Sequence, residues 1–276
     1  MDFDKINESG LVLFGCGHMG AALLRRWLER GLDLHATTVF DPRPSEWLKR
    51  QSELGLALNV MPSQPSAVIV LATKPQLIPE ALEKLDKDRF SDTLFLSIAA
   101  GVKITSFEEL LSPYHPIVRS MPNTPATIGE GASAYIGNLA AKDHLPLAVT
   151  LLSCVGVAFE LDCETQMDAV TALSGSGPAY LFQMAESMAL AGEKLGLSKE
   201  MAMALAKQTI LGAGQLMSQS TKTPEDLRKA VTSPAGTTQA ALNILKSKST
   251  GLDDLLSEAM NAAYNRSREL GADPVV

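Results

Sequence analysis

The chain has 276 residues, 46% of them hydrophobic and 20% charged, with a formal net charge of −7. That is core material for two domains or one large one, and the scattered basic residues exclude nucleic acid and an anionic membrane as expected partners. The odd number of cysteines (Cys16, Cys154 and Cys163) and the four unpaired histidines lack metal-site spacing, so no metal is expected and a reduced, cytoplasmic setting suits the thiols. No apolar run reaches the length of a membrane span, and the acidic start MDFDKINESG is unlike a signal peptide.

Residues 11–14 read as a strand, 21–30 as a helix closed by Gly31, and 37–40 as a second strand followed by a helix around 44–54. A third strand at 67–72 is continuous and Val/Ile-rich, as strands buried on both faces are. A helix at 79–85 and a strand at 93–98 follow, then strand candidates at 117–119, 132–136 and 155–160. This alternation predicts a doubly wound, mostly parallel α/β sheet over residues 1–162.

From residue 163 to 276 only helices are expected, at 166–173, 178–195, 199–219, 224–231, 235–245 and 252–270. Residues 201–217 (MAMALAKQTILGAGQLM) carry one charge, Lys207, and are apolar or small on almost every face. Such a helix is buried all round, and a unit of this size encloses it poorly alone, which points to a second subunit. Wrapping by its own domain is the alternative.

Gly15, Cys16, Gly17, His18, Met19 and Gly20 follow the first strand and open the first helix. That placement makes the G-x-G-x-x-G run a Rossmann-type dinucleotide loop: a tight turn, a backbone open to pyrophosphate, and close helix packing. Cys16 and His18 read as filler and solvated ring rather than catalytic groups. The second strand ends in Asp41-Pro42-Arg43. An acid there suits the ribose hydroxyls of NAD, whereas Arg43 suits the extra phosphate of NADP, so the choice stays open with a lean to NADPH.

Near the other end, VTSPAGTTQAAL starts a helix without bulky or charged groups in its first turns. Ser233 fits the N-cap and Pro234 the first helical position. The N–H groups of Ala235, Gly236 and Thr237 would then attract a small anion, with Thr238 one turn on facing the same mouth. A carboxylate beside a neutral hydroxyl suits an amino-acid-like molecule. Taken alone, the segment is equally an ordinary capped helix.

FGCGHMG (14–20), LATKPQ (71–76), SIAAGV (97–102), RSMPNTP (119–125), DAVTALSGSGPAY (168–180) and VTSPAGTTQAAL (231–242) together resemble pyrroline-5-carboxylate reductases, in the family's order and over nearly the whole chain. The resemblance implies a Rossmann domain followed by an all-helical dimerisation and substrate-binding domain, in a homodimer that leaves higher assembly open. It implies an oxidoreductase of proline biosynthesis acting on a CH–NH group, reducing 1-pyrroline-5-carboxylate to L-proline with NADPH or NADH.

By the same resemblance, Gly15–Gly20 and Asn59, fifteen residues before Lys74, contact the nucleotide, and Arg43 is its phosphate partner. Ala72, Lys74, Pro75, Ala99, Ala100, Gly101 and Asn123 line the nicotinamide side. Ser233, Gly236 and Thr237 hold the substrate carboxylate. Thr238 meets the ring nitrogen as the one catalytic residue, orienting it or relaying its proton. Lys74 and residues 174–178 receive no catalytic role. The family usually shows Ser-Pro-Gly-Gly where this chain has Ala235, a methyl expected to be tolerable at a helical position. Rival readings are a β-hydroxyacid dehydrogenase, another cyclic imine reductase, or a non-catalytic nucleotide sensor. Of the lysines available to the first of these, Lys194, Lys199, Lys207, Lys222 and Lys229, none lies in a Gly-rich motif.

Overall fold

The computed structural model describes residues 3–272, so both extreme ends of the two expected domains lie outside the described residues. Eight strands form one sheet: β1 (Leu11–Phe14), β2 (Thr37–Phe40), β3 (Ala57–Leu58), β4 (Val68–Leu71), β5 (Leu94–Ser97), β6 (Ile117–Met121), β7 (Gly131–Gly137) and β8 (Gly156–Glu160). Their order across the sheet is β3-β2-β1-β4-β5-β6-β7-β8, with every pair parallel except β6 and β7. The helices are α1 (Asp4–Ser9), α2 (His18–Glu29), α3 (Glu46–Glu53), α4 (Ile78–Glu83), α5 (Ile104–Leu110), α6 (Leu145–Ser153), α7 (Met167–Val170), α8 (Gly177–Lys194), α9 (Lys199–Gln219), α10 (Pro224–Ala230), α11 (Thr237–Leu245) and α12 (Leu252–Leu270).

The central strands LVLF, VIVL and LFLS are buried on both faces, and each such side chain stabilises the fold by about 1.5–3 kcal/mol. Trp27 of α2 is fully buried, and its indole N–H donates to the Leu151 carbonyl of α6 at 2.9 Å. The helix that follows the glycine loop is thereby anchored at its far end. The chain leaves β1 for β2 on one side and returns to β4 on the other, so β1 and β4 form the switch point where doubly wound sheets bind ligands.

Among the described residues, packing makes one unit of the chain up to Gly175 together with the segment from Tyr264 onward, and a second of Ser176–Ala263. The 162/163 division of the sequence marks where strands end. α1, β3, α5 and α6 escape the sequence reading: they are short, and α6 (LPLAVTLLS) is too uniformly apolar to show a period. Residues 171–175, expected within one regular helix, widen instead into a π turn.

In the helical unit, α8 and α9 pack through small residues, with Ala189, Ala202 and Ala206 buried. The remainder of α9 is uncovered by its own chain: Met201, Leu205, Leu211 and Leu216 are each more than half exposed. Self-wrapping of this helix is therefore ruled out. A face of this size is the kind that a partner covers.

Candidate active site

The loop between β1 and α2 has the geometry expected of a dinucleotide site. Gly15 sits at φ +87°, and a Cβ there would lie 2.8 Å from the Ala72 carbonyl oxygen at the end of β4. A Cβ on Gly20 would lie 2.3 Å from the Gly15 carbonyl oxygen, so helix and loop are in direct backbone contact. Gly17 has no neighbour within 4 Å of its Cβ direction and caps α2 without a side chain. The first-turn N–H groups of α2, from His18 and Met19 on, thus face an open cradle suited to pyrophosphate. Cys16 is buried, and its thiol is pushed up to about 12 by that burial and then by the Asp41 charge, so it stays neutral.

The β2 end is tied to this loop. Asp41 accepts the Cys16 N–H through Oδ2 at 2.9 Å and the Arg43 N–H through Oδ1 at 2.8 Å. Asn59, at φ +57°, brackets the Asp41 backbone: Oδ1 accepts its N–H at 2.9 Å and Nδ2 donates to its carbonyl at 3.0 Å. Arg43 is exposed.

After β4, Ala72 and Pro75 are half-buried and Lys74 is exposed. Between them Thr73, which sequence reading passed over, has a buried hydroxyl with no hydrogen-bond partner among the described residues. No motif signals it, because an unmet hydroxyl is visible only in three dimensions. Open glycine cradle, free helix N-terminus and unmet hydroxyl all fit a dinucleotide.

After β5, Ala99 is buried and Ala100 exposed, while Gly101 turns at φ +81°. Asn123, after β6, has both ends of its amide engaged: Oδ1 accepts from the Ala132 N–H at 2.8 Å, and Nδ2 donates to the Ser174 carbonyl of the π turn at 3.0 Å. Beside Gly101 lies a cavity of about 960 Å³ lined by Lys103, Arg119, Glu164, Asp168 and Arg268 among others. Glu164 Oε1 there takes Arg119 at 2.6 Å and the Ile104 N–H at 2.9 Å, fixing the end of the β5–α5 loop. Arg119 lies in the RSMPNTP segment but was assigned no role from sequence.

In the helical unit the Ser-Pro-Ala-Gly segment is not a helix start. Ser233 to Gly236 close a turn, with the Gly236 N–H donating to the Ser233 carbonyl at 3.0 Å. Pro234 occupies its second position and Ala235 its third, at φ +58°. α11 begins only at Thr237, capped by Gly236. The expected N-cap at Ser233 and helical Ala235 are therefore corrected: a Pro at that place in a left-handed turn pre-sets the fold-back rather than a helix. The unused N–H groups become those of Thr237, Thr238 and Gln239 instead of Ala235, Gly236 and Thr237. Ser233 and Thr237 are exposed, Gly236 and Thr238 half-buried.

Alanine at a left-handed position is strained. Ala235→Gly should raise stability by about 0.5–1 kcal/mol, a melting-temperature gain of roughly 1–4 °C. A thermal melt showing a lower Tm would remove the strain from this account.

Comparison with known proteins decides the family. A "Pyrroline-5-carboxylate reductase" of Pseudomonas aeruginosa is 41% identical over 266 residues, covering 94% of this chain and 96% of that protein. The chain belongs to the pyrroline-5-carboxylate reductase family. A relative of that name from Methanosarcina acetivorans is 36% identical over 93% of this chain and 96% of its own. The family model "Pyrroline-5-carboxylate reductase dimerisation" matches residues 164–270, and "NADP oxidoreductase coenzyme F420-dependent" matches residues 10–101. Among solved structures, a pyrroline-5-carboxylate reductase from Coxiella burnetii has a TM-score of 0.88 at 35% identity, over 97% of this chain and all of its own. The Plasmodium falciparum pyrroline carboxylate reductase with NADP bound has a TM-score of 0.81 at 29% identity, with the same coverage. The reductase is thus a nicotinamide-dependent oxidoreductase with a Rossmann sheet and a helical dimerisation region. The uncovered face of α9 lies inside the matched dimerisation segment. The hydroxyacid-dehydrogenase and sensor readings are not favoured.

Proposed function

We propose that this chain reduces 1-pyrroline-5-carboxylate to L-proline with NAD(P)H as a homodimer, in the cytoplasmic setting that its three free thiols suit. Bound reduced nicotinamide supplies the hydride that the C=N carbon accepts. A protonated imine is already electrophilic, so positioning is the main demand on the protein, and a site poor in His, Asp and Glu can meet it.

Each unit has its own part in this reading. In the sheet unit, Gly15–Gly20, Arg43 and Asn59 hold the nucleotide, and the turns bearing Ala72, Lys74, Pro75, Ala99, Ala100, Gly101 and Asn123 border the nicotinamide. In the helical unit, the Ser233 hydroxyl and the N–H of Thr237 receive the substrate carboxylate, with Gly236 leaving room for it. The Thr238 hydroxyl, which has no partner of its own among the described residues, orients the ring nitrogen. The observation that carries the substrate half is the turn at 233–236, which leaves the donors at the head of α11 unused.

Consumption of NADPH and NADH in the presence of 1-pyrroline-5-carboxylate tests the activity, and absence of turnover with either would overturn it. Thr238→Ala should lower kcat/KM by about ten- to a hundredfold, the loss of one hydrogen bond near developing charge. Unchanged kinetics would take Thr238 out of the mechanism.

A further inference from the structure

We infer that Asp41 is the residue that sets the reductase's discrimination between the ribose 2′-hydroxyl of NADH and the 2′-phosphate of NADPH, in opposition to Arg43. The inference rests on the nucleotide reading of the β1 loop. Rossmann sites place the adenine ribose at the end of the second strand, and Asp41 is the residue immediately after Phe40, where β2 stops.

Its carboxylate is fixed in place. One oxygen is held by the Cys16 N–H of the glycine loop and the other by the Arg43 N–H, while Asn59 clasps the backbone on both sides. Asn59 is itself anchored, because its own N–H donates to the Val39 carbonyl at 2.8 Å. A side chain locked in this way cannot swing aside for a second anion. Each oxygen has one protein donor, so lone pairs remain to accept from a ribose hydroxyl. A 2′-phosphate at neutral pH offers only acceptors and negative charge to the same oxygens, and like charges at such distances repel.

Two cations oppose this anion differently. Arg25 is engaged elsewhere, its guanidinium 3.9 Å above the Trp47 ring. Arg43 is exposed and leaves the same turn that Asp41 holds, so its side chain is the one placed to neutralise a 2′-phosphate. The two residues pull in opposite directions, which is why the Asp-Pro-Arg string is ambiguous as sequence. Asp41 keeps NADH usable, and Arg43 keeps NADPH usable.

The test is the dissociation constant of each cofactor, read from nicotinamide fluorescence with no substrate present. Asp41→Asn should shift the ratio Kd(NADH)/Kd(NADPH) toward NADPH by about tenfold or more, mainly through tighter NADPH. Arg43→Ala should shift it the other way. Asn59→Ala, which loosens the clasp but keeps the carboxylate, should weaken both cofactors with little change in the ratio. If Asp41→Asn moves both constants in parallel, the residue is only a brace for the loop and the proposal falls. It falls equally if Asn59→Ala changes the ratio as much as Asp41→Asn does. If the unaltered protein binds neither cofactor, the nucleotide reading itself fails and takes this inference with it.

Discussion

Gly15→Ala should weaken NADPH and NADH binding about a hundredfold while leaving a folded protein. Two effects add at this position. The backbone is left-handed at φ +87°, which costs a residue with a Cβ about 1–2 kcal/mol. The new methyl would also lie 2.8 Å from the Ala72 carbonyl oxygen and 2.9 Å from both the Ala72 carbonyl carbon and the Thr73 nitrogen. All three are backbone atoms at the end of β4, so no side chain can turn away to make room. The loop must lift off the sheet, and returning it to the nucleotide-binding form costs about 3 kcal/mol in all, or roughly two powers of ten in Kd. Equilibrium fluorescence titration of both cofactors measures this, with a thermal melt as the control for folding. Unaltered affinity would mean that the nucleotide does not rest on this loop.

The second large effect is expected at Gly236. A Cβ there would stand 2.3 Å from the Ser233 hydroxyl oxygen and 3.1 Å from the Ser233 carbonyl oxygen. Gly236→Val should drive the Ser233 side chain out of the turn and fill the space beside the α11 N-terminus. One or two hydrogen bonds to a charged carboxylate are then lost, each contributing about 1.5–3 kcal/mol. The KM for 1-pyrroline-5-carboxylate should rise by about tenfold to several hundredfold. Gly236 is in the helical unit and plays no part in the nucleotide loop, so NADPH affinity should stay within about twofold. A fall in NADPH affinity in this variant would show that the carboxylate pocket has been misassigned.

Much of the nucleotide half was legible without coordinates. Leu11 to Phe14 and the Gly15–Gly20 run declare a strand, a tight turn and a helix in that order, because each step depends on local chemistry: apolar continuity, glycine, then a helical period. α9 was legible for the same reason, down to both of its ends, and its lack of a polar face announced a partner surface. The substrate half was legible in identity but not in shape. Ser-Pro at the head of an apolar segment reads equally as a helix cap or as the first half of a turn, and nothing local separates the two. What separates them is the Gly236 N–H folding back on Ser233, which puts Ala235 in a left-handed conformation that its side chain disfavours.

The amino-acid sequence by itself determined the strand and helix order, the dinucleotide loop, the family and the presence of an unaccompanied apolar helix. These follow from patterns within a few turns of chain. Tertiary structure alone decided that Asp41 is spent on the Cys16 and Arg43 backbone, that Asn123 spans from β6 to the π turn, and that the α9 face is left bare. Those outcomes join residues 18 to 51 positions apart, or count what covers a surface, and neither is written in any local period or motif.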